Sequence, residues 1–344
     1  MNLYEQQVAN QRKTWLIMAA FVVFLFILGF GFDAIYLDVG GSVPIGSILA
    51  LGVGSVSAIA TYYKGDRAVL LATGAEPLAD VEAAATDSEK LKLRRLDNVV
   101  DEMAIASGLP RPPVYVVPDD DPNAFATGRG PGRSSIAVTR GLVDALDREE
   151  LQGVIAHEMS HIRNLDVRLM TIVAALVGGV ALLSDWARRG MIRGGGPRRR
   201  DGGRERGGAG GIVFFVIWLV AILLAPFIAR ALAMLVSRKR EYLADASGAE
   251  LTRNPLGLAR ALEKIDGAIG PTAAINRGSA HLCIADPLGY QVNWKEGFWA
   301  DLFASHPPMP ARIAALKAMA FQAGEQQARL DGNREGETNG SESA

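Results

Sequence analysis

Two long uncharged apolar stretches near the N-terminus restrict what this chain of 344 residues can fold into more than any other feature. Residues 15–32 contain 18 residues without a charge, and residues 43–63 contain 21. Each stretch is about as long as the roughly 20 apolar residues that cross the hydrocarbon core of a bilayer. A secretory signal peptide fits less well, because no small-x-small cleavage site precedes Asp33 and a second stretch follows closely. The sequence therefore predicts an N-terminal transmembrane hairpin over residues 1–63.

The charges that flank this hairpin predict its orientation. Arg12 and Lys13 precede the first stretch, and Lys64 and Arg67 follow the second. The connecting turn carries acidic residues but no Lys or Arg. Because basic residues concentrate on the cytoplasmic side of membrane proteins, both outer ends of the hairpin are expected in the cytoplasm.

Two further apolar stretches, residues 169–184 and 212–229, predict a second apolar helical hairpin over residues 169–236. The segment between the two stretches, which includes the Arg/Gly-rich loop 188–211, contains eight arginines and ten glycines. Placing those arginines outside the cytoplasm would oppose the positive-inside tendency. Whether both stretches cross the bilayer or neither does stays open at this point.

The remaining sequence is less apolar and predicts a catalytic domain in two parts, over residues 64–168 and 237–321, followed by a disordered tail over 322–344. Its first part predicts helical structure over 82–107, strands at 114–117 and 134–139, and a loop over 119–132. The predicted fold class is a mainly α membrane protein with a small β-sheet in its soluble domain.

Composition excludes several classes of protein. The chain carries 36 basic and 37 acidic residues, a net charge of −1, which argues against a nucleic-acid-binding protein. Cys283 is the sole cysteine, so an intrachain disulfide framework and a cysteine-rich metal site are excluded. Any histidine-based metal site must come from four histidines.

Two of these histidines form an H-E-x-x-H sequence, His157-Glu158-Met159-Ser160-His161. Asp147 and Glu150 have capping-box spacing and predict a helix that starts just before the motif. Positions i and i+4 of a helix share a face, so both imidazoles can reach one ion, and Glu158 can take a proton from water bound to that ion. The motif predicts a catalytic zinc site.

A catalytic zinc usually needs a third protein ligand, for which the sequence offers His281, His306 and Glu241. Glu241 and Asp245 are four residues apart and share one face of a predicted helix. One of them can bind zinc while the other accepts the remaining N–H of a histidine ligand. Spacing alone leaves the three candidates open.

Four motifs together resemble the HtpX family of membrane zinc metalloproteases, which is related to the CAAX prenyl endopeptidases. They are Asn123 to Gly128, the motif from His157 to His161, Ser237 to Asp245, and His306-Pro307-Pro308 with Arg312-Ile313. The resemblance implies a zincin-like α+β catalytic domain with one Zn²⁺ per chain, ligated by His157, His161 and Glu241, with Glu158 as the catalytic base. It also implies a multi-pass plasma-membrane protein that cleaves misfolded or damaged membrane proteins on the cytoplasmic side.

If His161 and Glu241 bind one ion, they lie on the same side of the membrane. The second hairpin must then cross the bilayer twice or not at all, and it is inserted between the helices that carry the zinc ligands.

Further roles are expected around the metal. His306 is the candidate donor to the tetrahedral oxyanion, because the two prolines after it would stiffen its loop. Asp245 is the candidate partner of a histidine ligand. Arg238 could pair with Asp245 or another carboxylate near the site, or it could face solvent or lipid headgroups. His281 is assigned a structural role.

Substrate binding is predicted at two segments. The strand over 134–139, with Ile136 and Val138, could add a substrate strand by edge pairing. Asn123, Ala124 and Phe125 could line the same groove.

The leading hypothesis is thus a membrane zinc endopeptidase of protein quality control whose partners are unfolded membrane proteins and the lipid bilayer. One alternative is a CAAX-type prenyl-protein endopeptidase, which would be expected to have more membrane spans. The other is a noncatalytic zinc-binding scaffold, which would not need Glu158. A channel fits poorly, because the uncharged hairpin offers no ionisable pathway. The sequence makes no prediction about oligomeric state.

Overall fold

The structure is a computed structural model that describes residues 3–36, 44–176, 238–268, 282–285, 307–322 and 324–325. Its helices are α1 (Leu3–Tyr36), α2 (Ile45–Ala72), α3 (Leu78–Ala84), α4 (Asp87–Ser107), α5 (Arg140–Ala145), α6 (Arg148–Arg163), α7 (Arg238–Thr252) and α8 (Pro255–Asp266). Residues 166–176 and 309–322 are also helical. Its strands are β1 (Glu76–Pro77), β2 (Val114–Val117), β3 (Ala124–Gly128) and β4 (Ser134–Thr139). The described part of the chain is therefore mainly helical with one small sheet, as predicted.

Helices α1 and α2 form an antiparallel hairpin that is fixed at both ends. At one end the rings of Trp15 and Tyr62 stack with centroids 5.6 Å apart. At the other end a carboxylate oxygen of Asp33 accepts hydrogen bonds from the backbone N–H of Ser47 (2.6 Å) and from its hydroxyl (2.5 Å). This carboxylate satisfies an amide in the first turn of α2, where no helical carbonyl is available.

One segment of the hairpin, residues 7–27 in α1, is long and apolar enough to span a membrane within the described part of the chain. Large apolar side chains on both helices are exposed, including Leu16, Ile27, Leu49 and Val56. The third apolar stretch of the sequence begins against this hairpin, since Leu169 and other residues of the helical segment 166–176 pack on α1 and α2.

The sheet has the strand order β1-β2-β4-β3. Strand β4 pairs with β2 in parallel and with β3 antiparallel, so it lies inside the sheet. Ile136 and Val138 are fully buried. The prediction that this strand offers an edge to substrate, with Ile136 and Val138 in the groove, is therefore wrong, because both sides of its backbone are already hydrogen-bonded.

One of the two outer strands is β3, at positions predicted to form a loop. Part of its outer edge is covered, since Phe125 forms a bridge with Cys283 and the backbone N–H of Ile284 donates to the carbonyl of Ala124 at 2.9 Å. The loop prediction for 119–132 is wrong at Ala124–Gly128. Burial and pairing with β4 form this strand, and its own sequence carries little β-propensity.

The two faces of the sheet pack against different parts of the molecule. Ile136 and Val138 face a large core built with α4, α6 and α8, in which Leu151, Ile155 and Leu258 are fully buried. The opposite face joins a second cluster with the end of α2 and the helical segment 166–176. The sheet thus separates the helix that carries the H-E-x-x-H motif from the end of the α1–α2 hairpin.

Several predicted elements agree with the structure, including the strands at 114–117 and 134–139 and the helix that carries Glu241 and Asp245. The predicted capping box of α6 is confirmed. The side chain of Asp147 accepts a hydrogen bond from the backbone N–H of Glu150, and the side chain of Glu150 accepts one from the backbone N–H of Asp147. Predictions for the rest of the second hairpin, the loop 188–211, His281 and His306 fall outside the described residues. The domain boundaries stay a prediction.

Candidate metal centre

Helix α6 holds His157 and His161 one turn apart, buried and directed at a common point. Their rings are nearly perpendicular, at 88°, with centroids 4.8 Å apart. Their Nε2 atoms lie 3.2 Å from each other. Two imidazole lone pairs converging in a buried space form a typical pair of zinc ligands.

Helix α7 brings Glu241 to the same point. Its Oε1 lies 3.6 Å from Nε2 of His161 and its Oε2 lies 3.8 Å from Nε2 of His157. The three residues form a group whose ligand atoms all lie within 4.8 Å of one another. Two ligands at 2.0–2.1 Å from a tetrahedral zinc ion are about 3.3–3.4 Å apart, so the donor set fits this metal.

The close approach of α7 to α6 depends on a glycine. A Cβ atom added to Gly248 would lie 3.0 Å from the backbone nitrogen of His157 and 3.2 Å from its Cα. Such distances are tighter than most real Cβ contacts, so the two helix backbones would have to shift apart by a few tenths of an ångström. Gly248 therefore allows the helix that carries Glu241 to pack directly on the turn that carries the first histidine.

Each histidine has its own carboxylate on the side away from the converging Nε2 atoms. Nδ1 of His157 lies 2.9 Å from Oδ1 of Asp245, in bent geometry. Nδ1 of His161 lies 3.4 Å from Oδ2 of Asp166. A carboxylate beside Nδ1 keeps the proton on that nitrogen and leaves Nε2 available for a metal.

Asp245 is in turn fixed by a buried arginine. The Nε and Nη2 atoms of Arg312 donate to the two oxygens of Asp245 at 2.8 and 2.7 Å, and Nη1 donates to the carbonyl of Ile284 at 2.7 Å. Burial opposes ionisation of Asp245, but the charge and hydrogen bonds of Arg312 outweigh burial and lower the pKa of Asp245. Asp245 is thus held as a carboxylate.

His161 is strongly basic when no metal is bound. Burial alone would lower the pKa of its imidazole. The hydrogen bond to Asp166 and the negative charges of Glu241, Asp166 and Glu158 outweigh burial and raise this pKa to about 9. A metal must therefore displace a proton from the site at neutral pH.

Glu158 is the fourth acidic group here, and its surroundings differ from those of the other carboxylates. It is fully buried, and neither carboxylate oxygen has a hydrogen bond of good geometry among the residues that the structure describes. Burial raises the pKa of Glu158, opposed by the nearby histidines and by the backbone N–H of Ala126 in β3. A carboxylate that is costly to ionise is suited to exchange protons.

Residues 90–320 match peptidase family M48. The chain belongs to this family. It is 43% identical over 318 residues to a Protease HtpX homolog of Caldanaerobacter subterraneus subsp. tengcongensis, which covers 92% of this chain and 98% of that relative. Identity is 39% over 318 residues with a Protease HtpX homolog of Streptococcus gordonii and 42% over 320 residues with one of Listeria monocytogenes serotype 4a. Each of these covers 92% of this chain and all of the relative.

Membership of family M48 confirms the prediction of an HtpX-type zinc metalloprotease. The similarities do not favour a prenyl-protein endopeptidase or a noncatalytic scaffold. In this M48 peptidase the described zinc-ligand candidates come from α6 and α7, two helices separated by 74 positions of sequence between Arg163 and Arg238.

The other predicted site residues have varied surroundings in this M48 peptidase. Asn123, Ala124 and Phe125 are buried at the start of β3, and the side chain of Asn123 donates to the carbonyl of Ala285 at 3.3 Å. Arg238 begins α7, but its side chain is outside the described part, as is all of His306. The arginine that the structure places on Asp245 is Arg312.

Sequence reasoning missed Asp166 and did not assign a role to Arg312. Asp166 follows the last motif histidine by five residues, after a turn in which Leu165 adopts a left-handed conformation (φ 59°). Helical spacing alone could not place its carboxylate under His161. Arg312 was part of a recognisable motif, but its partner lies 67 positions away.

Proposed function

We propose that this M48 peptidase is a membrane-anchored zinc endopeptidase that cleaves unfolded or damaged membrane proteins at the cytoplasmic surface. His157, His161 and Glu241 hold the metal, and Glu158 is the general base. The observation that carries the proposal is a group of three converging metal ligands beside a buried carboxylate that has no hydrogen bond of good geometry among the described residues.

Zinc bound at this site supplies Lewis-acid activation of a water molecule and of the scissile carbonyl. Glu158 accepts a proton from the attacking water and later delivers it to the departing amide nitrogen. Burial supports this role, because a raised pKa makes the carboxylate of Glu158 a stronger base. Asp245 and Asp166 hold the two imidazoles in the tautomer that leaves Nε2 free.

Strand β3 is the proposed place for an extended substrate. The carbonyl of Ala124 points away from β4, since it accepts a hydrogen bond from Ile284. Strand residues alternate in direction, so the backbone groups of Ala126 point to the same outer side. The backbone N–H of Ala126 also opposes the rise in the pKa of Glu158 that burial causes. A peptide paired with the part of this edge that Cys283 and Ile284 leave uncovered, from Ala126 onwards, would therefore pass beside the catalytic carboxylate.

The exposed apolar side chains of α1 and α2 support the proposed membrane anchor. Trp15, Tyr62 and Tyr63 cluster at one level of the hairpin, and the guanidinium of Arg129 lies 5.7 and 4.8 Å from the two tyrosine rings. Aromatic residues concentrate where a membrane meets water. Arg129 belongs to the β3–β4 connection, so the catalytic domain would rest on the lipid surface at this level.

Proteolysis and metal content, measured together in the full-length protein, test the proposal. Glu158→Gln should keep about one zinc per chain and lose cleavage of an unfolded substrate such as casein. Glu149→Gln, on an exposed residue of the same helix, should behave as wild type. Undiminished cleavage by Glu158→Gln would eliminate Glu158 as the base, and a wild-type protein that binds no zinc would refute the metal site.

A labelling experiment tests the proposed topology. Single cysteines placed within residues 194–208, in a Cys283→Ser background, would be modified with a membrane-impermeant reagent from each side of the membrane. Labelling only from the cytoplasm would exclude a four-span chain and leave two spans. Labelling only from the outer side would establish two further crossings.

A further inference from the structure

The turn that follows the zinc-ligand helix connects the metal centre to the membrane hairpin. Residues 164 and 165 form this turn between α6 and the helical segment 166–176. Leu165 has a φ of 59°, a conformation that costs free energy for any residue with a Cβ atom. Strain of this kind persists only where surrounding contacts enforce it. In this conformation of the turn, the fully buried Asp166 faces Nδ1 of His161.

Helix α1 makes several polar contacts with this turn. Asn10 is buried, and its side-chain Nδ2 donates to Oδ1 of Asp166 at 2.6 Å and to the carbonyl of Asn164 at 3.1 Å. Both hydrogens of one amide group are thus used on the turn. Gln7, one turn earlier on the same face of α1, donates to the carbonyl of Arg163 at 2.9 Å. A polar face of the first membrane helix therefore docks on the chain directly after the second metal-binding histidine.

The two oxygens of Asp166 have separate partners. Oδ2 faces His161, while Oδ1 accepts the short hydrogen bond from Asn10 and lies 3.5 Å from Nε of Arg240. The distance from Asp166 to Arg240 is too long for a good hydrogen bond, so Asn10 is the main donor that fixes the plane of this carboxylate. If the carboxylate turns, the ring of His161 loses the contact that orients it.

The two histidines are supported from opposite ends of the chain. His157 is oriented by Asp245, which Arg312 fixes from the C-terminal helical segment 309–322. His161 is oriented by Asp166, which Asn10 fixes from the membrane hairpin. A plain anchor for the catalytic domain would need apolar packing between the hairpin and the domain. It would not need an amide donor on the carboxylate behind a metal ligand.

We propose that Asn10 is a positioning residue for the metal ligand His161, so that helix α1 is part of the zinc centre as well as a membrane anchor. Displacement of α1 from the 163–166 turn lowers the affinity for zinc. The inference rests on the proposed function only in that zinc binds at His157, His161 and Glu241.

The test measures zinc affinity by chelator competition and the visible spectrum of the Co²⁺-substituted protein, in full-length protein in lipid nanodiscs. Asn10→Ala should weaken zinc binding by about tenfold, the lower end of the loss typical for partners of ligating histidines, and should shift the Co²⁺ spectrum. Gln11→Ala, a loss of the same side-chain type from the exposed face of α1, should leave both unchanged.

A double-mutant cycle separates positioning from a general loosening of the fold. Asp166→Ala and the double variant Asn10→Ala/Asp166→Ala should bind zinc with the same reduced affinity, because Asn10 acts through Asp166. Additive losses, or wild-type affinity and a wild-type spectrum in Asn10→Ala, would overturn the inference.

A second variant and the wild type complete the design. If Asn10→Ala does not fold, Asn10→Leu, which keeps the volume without the donor, replaces it in the same cycle. A wild-type protein that binds no zinc refutes the proposed function itself. Zinc binding that is normal in wild type and unaffected by either Asn10 variant refutes only the role of Asn10.

Discussion

Arg312 donates hydrogen bonds to both oxygens of Asp245, at 2.7 and 2.8 Å, in a fully buried ion pair. This pair connects the C-terminal helical segment to the first zinc-ligand candidate, His157. Asp245 lies between them, 2.9 Å from Nδ1 of His157. Removing one partner of such a pair leaves a buried charge without compensation, which typically costs about 3–5 kcal/mol. The pair should therefore matter for stability and for the metal centre together.

We expect Arg312→Ala to lower the free energy of unfolding by several kcal/mol and to weaken zinc binding, because the carboxylate of Asp245 loses its fixed plane. Chemical unfolding and chelator competition on the same samples measure the two effects. Lys317→Ala removes an ion pair with Glu263 whose side chains are half exposed, and it should cost less than about 1 kcal/mol. Equal small effects of the two variants would contradict the role given to Arg312.

The raised pKa of His161 gives a prediction about pH. Without metal His161 is protonated up to about pH 9, and zinc must displace that proton. The apparent zinc dissociation constant should therefore fall by up to about tenfold for each pH unit between about 6.5 and 9 and level off above. Isothermal titration in buffers of different ionisation enthalpy would count the released proton. A dissociation constant that is independent of pH over this range would refute the assignment.

The raised pKa of His161 also predicts that the stability of the metal-free protein depends on pH. The folded-state pKa of His161, about 9, exceeds the ordinary value of 6.5. Protonated His161 thus adds stability that is fully present below about pH 6.5 and is lost as the pH rises through about 9, on the order of 3 kcal/mol in total. Asp166→Asn should reduce this loss, because it removes the hydrogen-bonded charge that holds the proton. Thermal unfolding in the presence of a chelator measures both proteins.

Sequence reasoning worked best where the signal was local. The capping residues Asp147 and Glu150, the motif from His157 to His161, and the pairing of Glu241 with Asp245 on one helix face all follow from spacings of three or four residues. Such spacings fix which side chains share a helical face before any tertiary contact forms.

The features that were missed depend on contacts distant in sequence. Strand β3 has the sequence Ala-Phe-Ala-Thr-Gly, which no local preference marks as a strand, and it forms because β4 offers a partner. The prediction that β4 lies at the edge of the sheet is wrong, because the sequence of one strand does not reveal which strands pair on either side of it. The contact between Asn10 and Asp166 spans 156 positions and needs the left-handed turn at Leu165.

Gly248 offers a test of how closely α7 must pack on α6. Gly248→Val places side-chain atoms against the backbone of His157 and Ala156, so we expect the helices to part and Glu241 to move away from the histidines. Overpacking of this kind typically costs about 1–3 kcal/mol, and zinc affinity should fall with it. Gly52→Val, where a Cβ meets nothing within 4 Å, is the matched control. Unchanged zinc affinity in Gly248→Val would show that α6 and α7 can accommodate a side chain at this position without moving the metal ligands.

Glu158 should reduce the stability of the metal-free protein. Its carboxylate is fully buried without a hydrogen bond of good geometry from the described residues, and burial outweighs the nearby charges that favour its ionised form, so ionising it is costly. We therefore expect Glu158→Gln to raise the free energy of unfolding of the metal-free protein by about 1–3 kcal/mol while it abolishes peptidase activity.

The stability that Glu158→Gln adds to the metal-free protein should depend on pH in a defined direction. Because burial raises the pKa of Glu158, its proton stabilises the folded state at low pH, and this contribution is lost as the pH rises through the folded-state pKa. The difference between Glu158→Gln and wild type should therefore grow from acidic to neutral pH, whereas Glu149→Gln, on an exposed side chain, should show no such trend. A catalytically dead Glu158→Gln protein that is less stable than wild type at neutral pH would mean that Glu158 is held by contacts that favour its charged form, which would make it a poor proton acceptor.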